Sequence, residues 1–177
     1  MLCKFQKKVA ARHFLCKKQL IFITLILLVG IGLHVISITD YEGVSVGMPA
    51  EEIYELVPED YFGYTGYIFY LNKWGNPVVV NFDDYSAGYP VEEVRCFSSL
   101  WTSRSPKAFK RLKEGMDVFD VTRIVGIPLG TRTSGMRTTY YTDTLGNEWV
   151  IYWGSKVENP NDWYATSLRK NREDIWP

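Results

Sequence analysis

Nineteen consecutive residues without a formal charge, Leu20 to Ile38, constrain this chain more than any other feature, His34 being counted as neutral. As a helix the run is about 28 Å long, close to the hydrocarbon thickness of a bilayer. Fourteen of the 19 are Leu, Ile, Val or Phe. At a few tenths of a kcal/mol each, they contribute roughly 4–8 kcal/mol toward insertion, part of which Thr24, Ser37, His34 and two glycines offset. A helix of a soluble core carries a polar face, and this run has none. A transmembrane helix over 20–38 is therefore expected, after a basic tail over 1–19.

The flanks set its direction. Lys4, Lys7, Lys8, Arg12, Lys17 and Lys18 precede the run, with no acidic residue among them, whereas Asp40 and Glu42 follow it. The positive-inside rule then expects a cytoplasmic N-terminus and a single pass, with everything after about residue 39 outside the cytoplasm. A cleaved signal peptide competes with this reading, but its apolar region is shorter and ends in small residues of the A-x-A kind. Here the run ends Val35-Ile36-Ser37-Ile38-Thr39, and Cys16 precedes it, the wrong side for a lipoprotein cleavage site. An uncleaved signal-anchor in the cell membrane is the expectation. Cys3 and Cys16 fall on the cytoplasmic side, as acylation sites or as ordinary thiols. Cys96 is left alone outside, so no intramolecular bridge supports the outer domain.

Charge and histidine content remove whole classes of function. The zero net charge of the chain averages two unlike parts: residues 39–177 hold 14 basic against 20 acidic residues, a net of −6. A nucleic-acid binder concentrates positive charge on its folded part, so no nucleic-acid partner is expected. Both histidines, His13 and His34, lie in the tail and the apolar run. The outer domain therefore lacks the base of a Ser-His-Asp or Cys-His nucleophile and the commonest zinc ligand. No catalytic residue, metal or cofactor is assigned.

The outer domain resembles itself. With Gly47-Met48 placed over Gly115-Met116, an offset of 68, Ile53 meets Val121, Leu56 meets Ile124 and Val57 meets Val125. At an offset of 71, Tyr70 meets Tyr141, Gly75-Asn76 meets Gly146-Asn147, and Val78–Phe82 meets Trp149–Trp153. Such a shift is what a loop insertion produces, so two tandem α+β repeats are expected at 39–97 and 109–177 (the second with a C-terminal tail), joined by a connector over 98–108.

Each repeat opens with a short helix. In the first, Pro49 suits a helix start, Glu51 and Glu52 suit the positive end of the dipole, and Pro58 stops it. Ile53, Leu56 and Val57 form the apolar stripe. In the second, Asp117 is a candidate N-cap, Val118, Val121, Ile124 and Val125 form the stripe, and Gly126 with Pro128 ends it. Hairpins follow at 67–71/77–82 and 138–142/148–153, each turn closing on Gly-Asn, with third strands at 91–97 and 163–168. Neither a short helix nor a three-stranded sheet is stable alone, so each helix is expected to pack on an antiparallel sheet.

The run Lys113-Glu114-Gly115-Met116-Asp117-Val118-Phe119-Asp120-Val121-Thr122-Arg123-Ile124-Val125-Gly126-Ile127-Pro128 is similar to the Gly-Met-Thr-x4-Val-x3-Leu-Gly-x-Pro signature of the SmpA/OmlA small lipoproteins. The β-lactamase inhibitor proteins share that fold and carry it twice in tandem. The resemblance implies a helix-plus-sheet module with a binding role and no catalytic residues. The first repeat keeps Gly47-Met48 but has Pro58 in place of the second glycine. The lipidated cysteine of the lipoproteins and the disulfides of the inhibitors have no counterpart outside, so no family target is carried over.

Aromatic residues supply the remaining lead. All 12 tyrosines and all six tryptophans lie after residue 38. Tyr61, Phe62, Tyr64 and Tyr67 cluster after the first helix, and Tyr152, Trp153, Trp163 and Tyr164 fall in the second sheet. The last four are the candidate binding residues, because aromatics dominate binding surfaces, though core packing places the same demand on them. The acidic pairs Glu51-Glu52, Asp83-Asp84 and Glu92-Glu93 are adjacent, and neighbours in a strand point to opposite faces. Asp83–Gly88 lacks the alternating ligands of a calcium loop and reads as a turn. Two functions remain: a membrane-anchored binding module for an envelope protein, or an enzyme or sensor that acts on an envelope polymer or glycan through an aromatic face.

Overall fold

The computed structural model describes residues 23–35, 40–64, 66–83, 88–131, 137–155 and 163–176. Two compact units divide the chain, Met1–Ser37 and Ile38–Pro177. In the first, residues 23–35 form helix α1. Its large aliphatic side chains are all exposed, Leu28 and Ile31 at 61 %. Among the described residues no helix is long and apolar enough to cross a membrane. Residues 20–22 and 36–38, which complete the apolar run, lie outside them, as do Cys3, Cys16 and the basic tail.

The second unit is α+β, with two four-stranded antiparallel sheets and short helices. Sheet 1 holds β1 (Phe62–Tyr64), β2 (Tyr67–Leu71), β3 (Pro77–Phe82) and β4 (Val91–Cys96) in that order. Helix α2 (Ala50–Leu56) precedes it; Pro49 sits at its N-cap, and Val57 is already extended, as a residue before proline must be. Alternation along the strands divides the sheet into two apolar faces. Ile68, Tyr70, Val78, Val80 and Phe82 pack with Ile53 of α2 and with Val57 just after it. Tyr67, Phe69 and Val79 point the other way, into a second core.

That second core belongs to both sheets. Sheet 2 holds β5 (Thr138–Thr142), β6 (Glu148–Ser155), β7 (Trp163–Lys170) and β8 (Glu173–Asp174). Before it come α3 (Pro106–Phe109), capped by Ser105, and α4 (Val118–Val125), capped by Asp117 through a 2.6 Å bond to the Asp120 N–H. Six of the eight α4 residues are buried, against only Ile53 in α2. The α4 side chains share one cluster with Tyr67, Phe69 and Val79 of sheet 1 and with Trp149, Ile151, Trp153, Trp163, Ala165 and Leu168 of sheet 2. Phe109 of α3 completes it, stacked 4.8 Å from Trp149. Helix α4 thus covers one face of each sheet.

Corresponding positions make corresponding bonds. The Gly47 N–H donates to the Val91 carbonyl and the Val91 N–H to that of Met48; Gly115, Ala165 and Met116 repeat the pattern, all at 2.8–2.9 Å. Both glycines have φ +84°, which explains the residue type. In the turns, Asn72 Oδ1 accepts from the Trp74 and Asn76 N–H groups, as Asp143 Oδ1 does from Leu145 and Asn147. Positive φ falls on Gly75 and Gly146 and not on the asparagines after them. Those have other work: Asn76 Oδ1 accepts from the Ser99 N–H, and Asn147 Nδ2 donates to Asp143.

Several expectations need correction. Each sheet has four strands and not three, because β1 adds an edge before the first hairpin and β8 adds one after β7. Leu56 is 40 % exposed and leaves the first stripe. Helix α3 begins within the expected connector and ends one residue beyond it. The turn expected at Asp83–Gly88 falls on residues 84–87, outside the described part, as does the Tyr64 side chain.

Candidate functional site

The face of sheet 2 turned away from α4 carries a surface no other element of the described residues occupies. Alternation puts Tyr140 of β5, Val150, Tyr152 and Gly154 of β6, and Tyr164 and Arg169 of β7 on it. A register shift at Tyr152/Trp153 inserts Thr166, whose hydroxyl donates to the Tyr152 carbonyl at 3.1 Å. Gly154 has a packing reason: a Cβ there would lie 2.8 Å from Thr166 Cγ2 and 3.0 Å from Tyr164 Cζ. Arg169 donates to the Tyr152 hydroxyl at 3.0 Å, sits 5.1 Å from that ring, and pairs with Asp174. A cleft of about 680 Å³ opens here, lined by Arg137, Tyr152, Trp153, Gly154, Ser155, Thr166, Ser167 and Arg169. It joins a ring face, hydroxyls and the Arg169 guanidinium, with no carboxylate among its lining residues, while the Arg137 guanidinium lies 5.0 Å over the Trp163 ring.

The four candidate binding residues divide between the two faces. Trp153 and Trp163 are 7 % and 2 % exposed, 6.3 Å apart in the core, with the Trp153 indole N–H donating to Thr139 at 2.9 Å. Tyr152 and Tyr164 are half-buried on the open face. Sequence reasoning missed Arg137 and Arg169. Arg169 lies directly opposite Val150 in the register, on the face that also carries Tyr152, and the strand expected at 163–168 stopped one residue short of it.

Of the clefts that border sheet 1, two gather aromatic or acidic side chains. The larger, about 750 Å³, is lined by Tyr54, Tyr61, Tyr89 and Glu59, with Tyr54 and Tyr61 rings 5.8 Å apart. Tyr54 follows Ile53 outside the apolar stripe, and an aromatic on the solvent side of a helix is the signal that could have revealed it. The smaller, about 240 Å³, brings Glu92, Glu93, Asp117 and Asp120 beside Tyr67, Trp163 and Tyr164. Each of these carboxylates has a structural partner: Asn81 for Glu92, Arg95 for Glu93, the α4 cap for Asp117 and Arg123 for Asp120.

Perturbed groups serve the fold. Burial opposes ionisation of Asp143, but donors from Trp149, Asn147 and the Leu145 backbone outweigh it and hold the carboxyl at about 2. Burial and the Asp40 charge push the Cys96 thiol up to about 11, away from nucleophilic use. Among the described residues no group of three His, Cys, Asp or Glu side chains is placed to hold a metal ion. Comparison with family models, curated proteins and solved structures returns no match.

Proposed function

We propose that the chain is a membrane-anchored binding module that presents sheet 2 to another protein of the cell envelope. The carrying observation is the unequal cover of the sheets: sheet 1 has a helix on each face, whereas sheet 2 leaves Tyr152, Tyr164 and Arg169 available. Tyrosine and arginine are the residue types that concentrate binding energy, since both bury large areas and offer a polar group. The exposed aliphatic helix over 23–35 supports the anchor, because such a surface calls for lipid or a partner. Residues 39–97 and 109–177 are two copies of one unit, and the signature at 113–128 gives that unit an SmpA/OmlA-like character. Two tests apply. A reporter fused after Pro177 is active only outside the cytoplasm; cytoplasmic activity sinks the topology. A photo-crosslinker replacing Tyr152 in the full chain yields one dominant envelope-protein adduct; adducts only from residue 54 move the interface to the Tyr54 cleft.

The acidic cleft beside Trp163 and Tyr164 favours a second reading, an envelope glycan-directed enzyme or sensor. A glycosidase requires two carboxylates facing each other across a cleft. Glu92→Gln and Asp120→Asn together would abolish turnover of an envelope glycan under this reading and leave protein capture unchanged under the first.

A further inference from the structure

We infer that the hairpin-turn end of the outer domain is a lipid-docking surface; this rests on the membrane-anchor reading above. Among the described residues the three most exposed large apolar side chains are Leu100 at 78 %, Leu145 at 76 % and Trp101 at 73 %. Leu145 is distant in sequence from Leu100-Trp101, yet hydrogen bonds hold the two loops at one end of the fold. The Ser99 N–H donates to Asn76 of the β2–β3 turn at 2.8 Å, and the Thr144 N–H of the β5–β6 turn donates to the Arg104 carbonyl at 2.9 Å. Asp40 is fastened to that same end. Its carboxylate meets Lys73 Nζ at 2.7 Å and the Trp74 indole N–H at 3.1 Å, and its carbonyl accepts from Asn72 Nδ2 at 2.8 Å. The apolar run ends at Ile38. In the sequence only Thr39 separates the end of that run from Asp40.

Chemistry agrees with the tether. Tryptophan favours the membrane–water interface, and leucine inserts below it. Lys73 neutralises Asp40, whose pKa the Lys73 and Trp74 bonds lower, so no unpaired Asp40 charge is pressed on lipid. The Tyr152–Ser155 cleft lies at the other end of β6, roughly 20–25 Å from the β5–β6 turn, where a partner can reach it.

The test places a benzophenone amino acid singly at residues 29, 89, 100 and 145 of the full chain, in nanodiscs of phosphatidylcholine and phosphatidylglycerol, and reads lipid adducts by mass spectrometry. Tyr89 follows β3, at the strand end opposite the β2–β3 turn. The expected result is adducts from 29, 100 and 145 and none from 89. Adducts from 29 alone overturn the docking surface and leave the anchor standing. Absence of adducts from 29 removes the anchor, and the docking surface with it. Equal adducts from 89, 100 and 145 also overturn it, because contact would then be unspecific.

Discussion

Sheet 1 lies between α2 and α4, whereas sheet 2 has α4 on one face and no helix of the described residues on the other. The strands are not the source of that difference. Both sheets are meanders, both have a Gly-Met clamp on the strand after the main hairpin (β4 or β7), and in both turns the first residue's Oδ1 accepts the corresponding backbone N–H groups. The source is helix α4. It buries side chains around most of its circumference and so serves two sheets, while α2 buries only Ile53 and leaves Tyr54 and Leu56 exposed. When one helix closes two sheets, one sheet face is left over. In this chain it carries tyrosines, an arginine and small hydroxyl residues, and that asymmetry is the basis for assigning it the binding role.

The sharpest way to break the comparison is a charge in each helix. Val121→Asp enters the core shared by both sheets and is expected to unfold the second unit, whereas Ile53→Asp enters only the α2 layer. Each buries an unpaired carboxylate at a cost of several kcal/mol, and urea melts should rank Val121 as the more damaging. Equal losses would mean that α4 does not serve both sheets.

The two faces of sheet 2 separate at neighbouring residues. Trp163→Ala opens a core cavity and should cost about 3–5 kcal/mol. Tyr164→Ala, on the half-buried face, should cost about 1 kcal/mol or less in the same melt. Similar losses would place both faces in a core.

The turns diverge most consequentially at a buried side-chain pair. Asp143 Oδ2 accepts the Trp149 indole N–H at 2.8 Å, so Asp143→Asn sets a donor against a donor and should cost about 1–3 kcal/mol. Because the folded pKa of Asp143 is depressed to about 2, its contribution is complete above the ordinary carboxylate range near 4 and fades as pH falls toward 2. Acid melts of the wild type should therefore show a loss in that window which Asp143→Asn lacks. The smallest effect is a gain. Thr122 Oγ1 is buried in α4 without a hydrogen-bond partner, so Thr122→Val should stabilise by about 1 kcal/mol.

Much of the fold was legible locally. The hairpin cores at 67–71/77–82 and 138–142/148–153 were marked by alternation and by Gly-Asn, and the Asp117 cap and the Pro58 stop were marked by residue type. What escaped was short or non-local. Phe62-Gly63-Tyr64 is too brief to show a period, and β8 is the acidic pair Glu173-Asp174, with no strand propensity. The double service of α4 depends on contacts between distant segments, although Phe119, apolar outside the expected stripe, hinted at a helix buried on more than one side. For the candidate site, alternation placed Trp153 and Tyr152 on opposite faces, but only the packing of α4 decided which face was closed.

Tyr152 and Trp153 are therefore the decisive pair, adjacent in sequence and opposite in role. Each is changed to Ala in the full chain, and melting temperature and capture of the proposed envelope partner are read on the same preparations. The account predicts that Tyr152→Ala loses capture and melts like the parent, while Trp153→Ala lowers the melting temperature and its folded fraction still captures. If Tyr152→Ala captures as well as the parent, the open face of sheet 2 is not the binding surface.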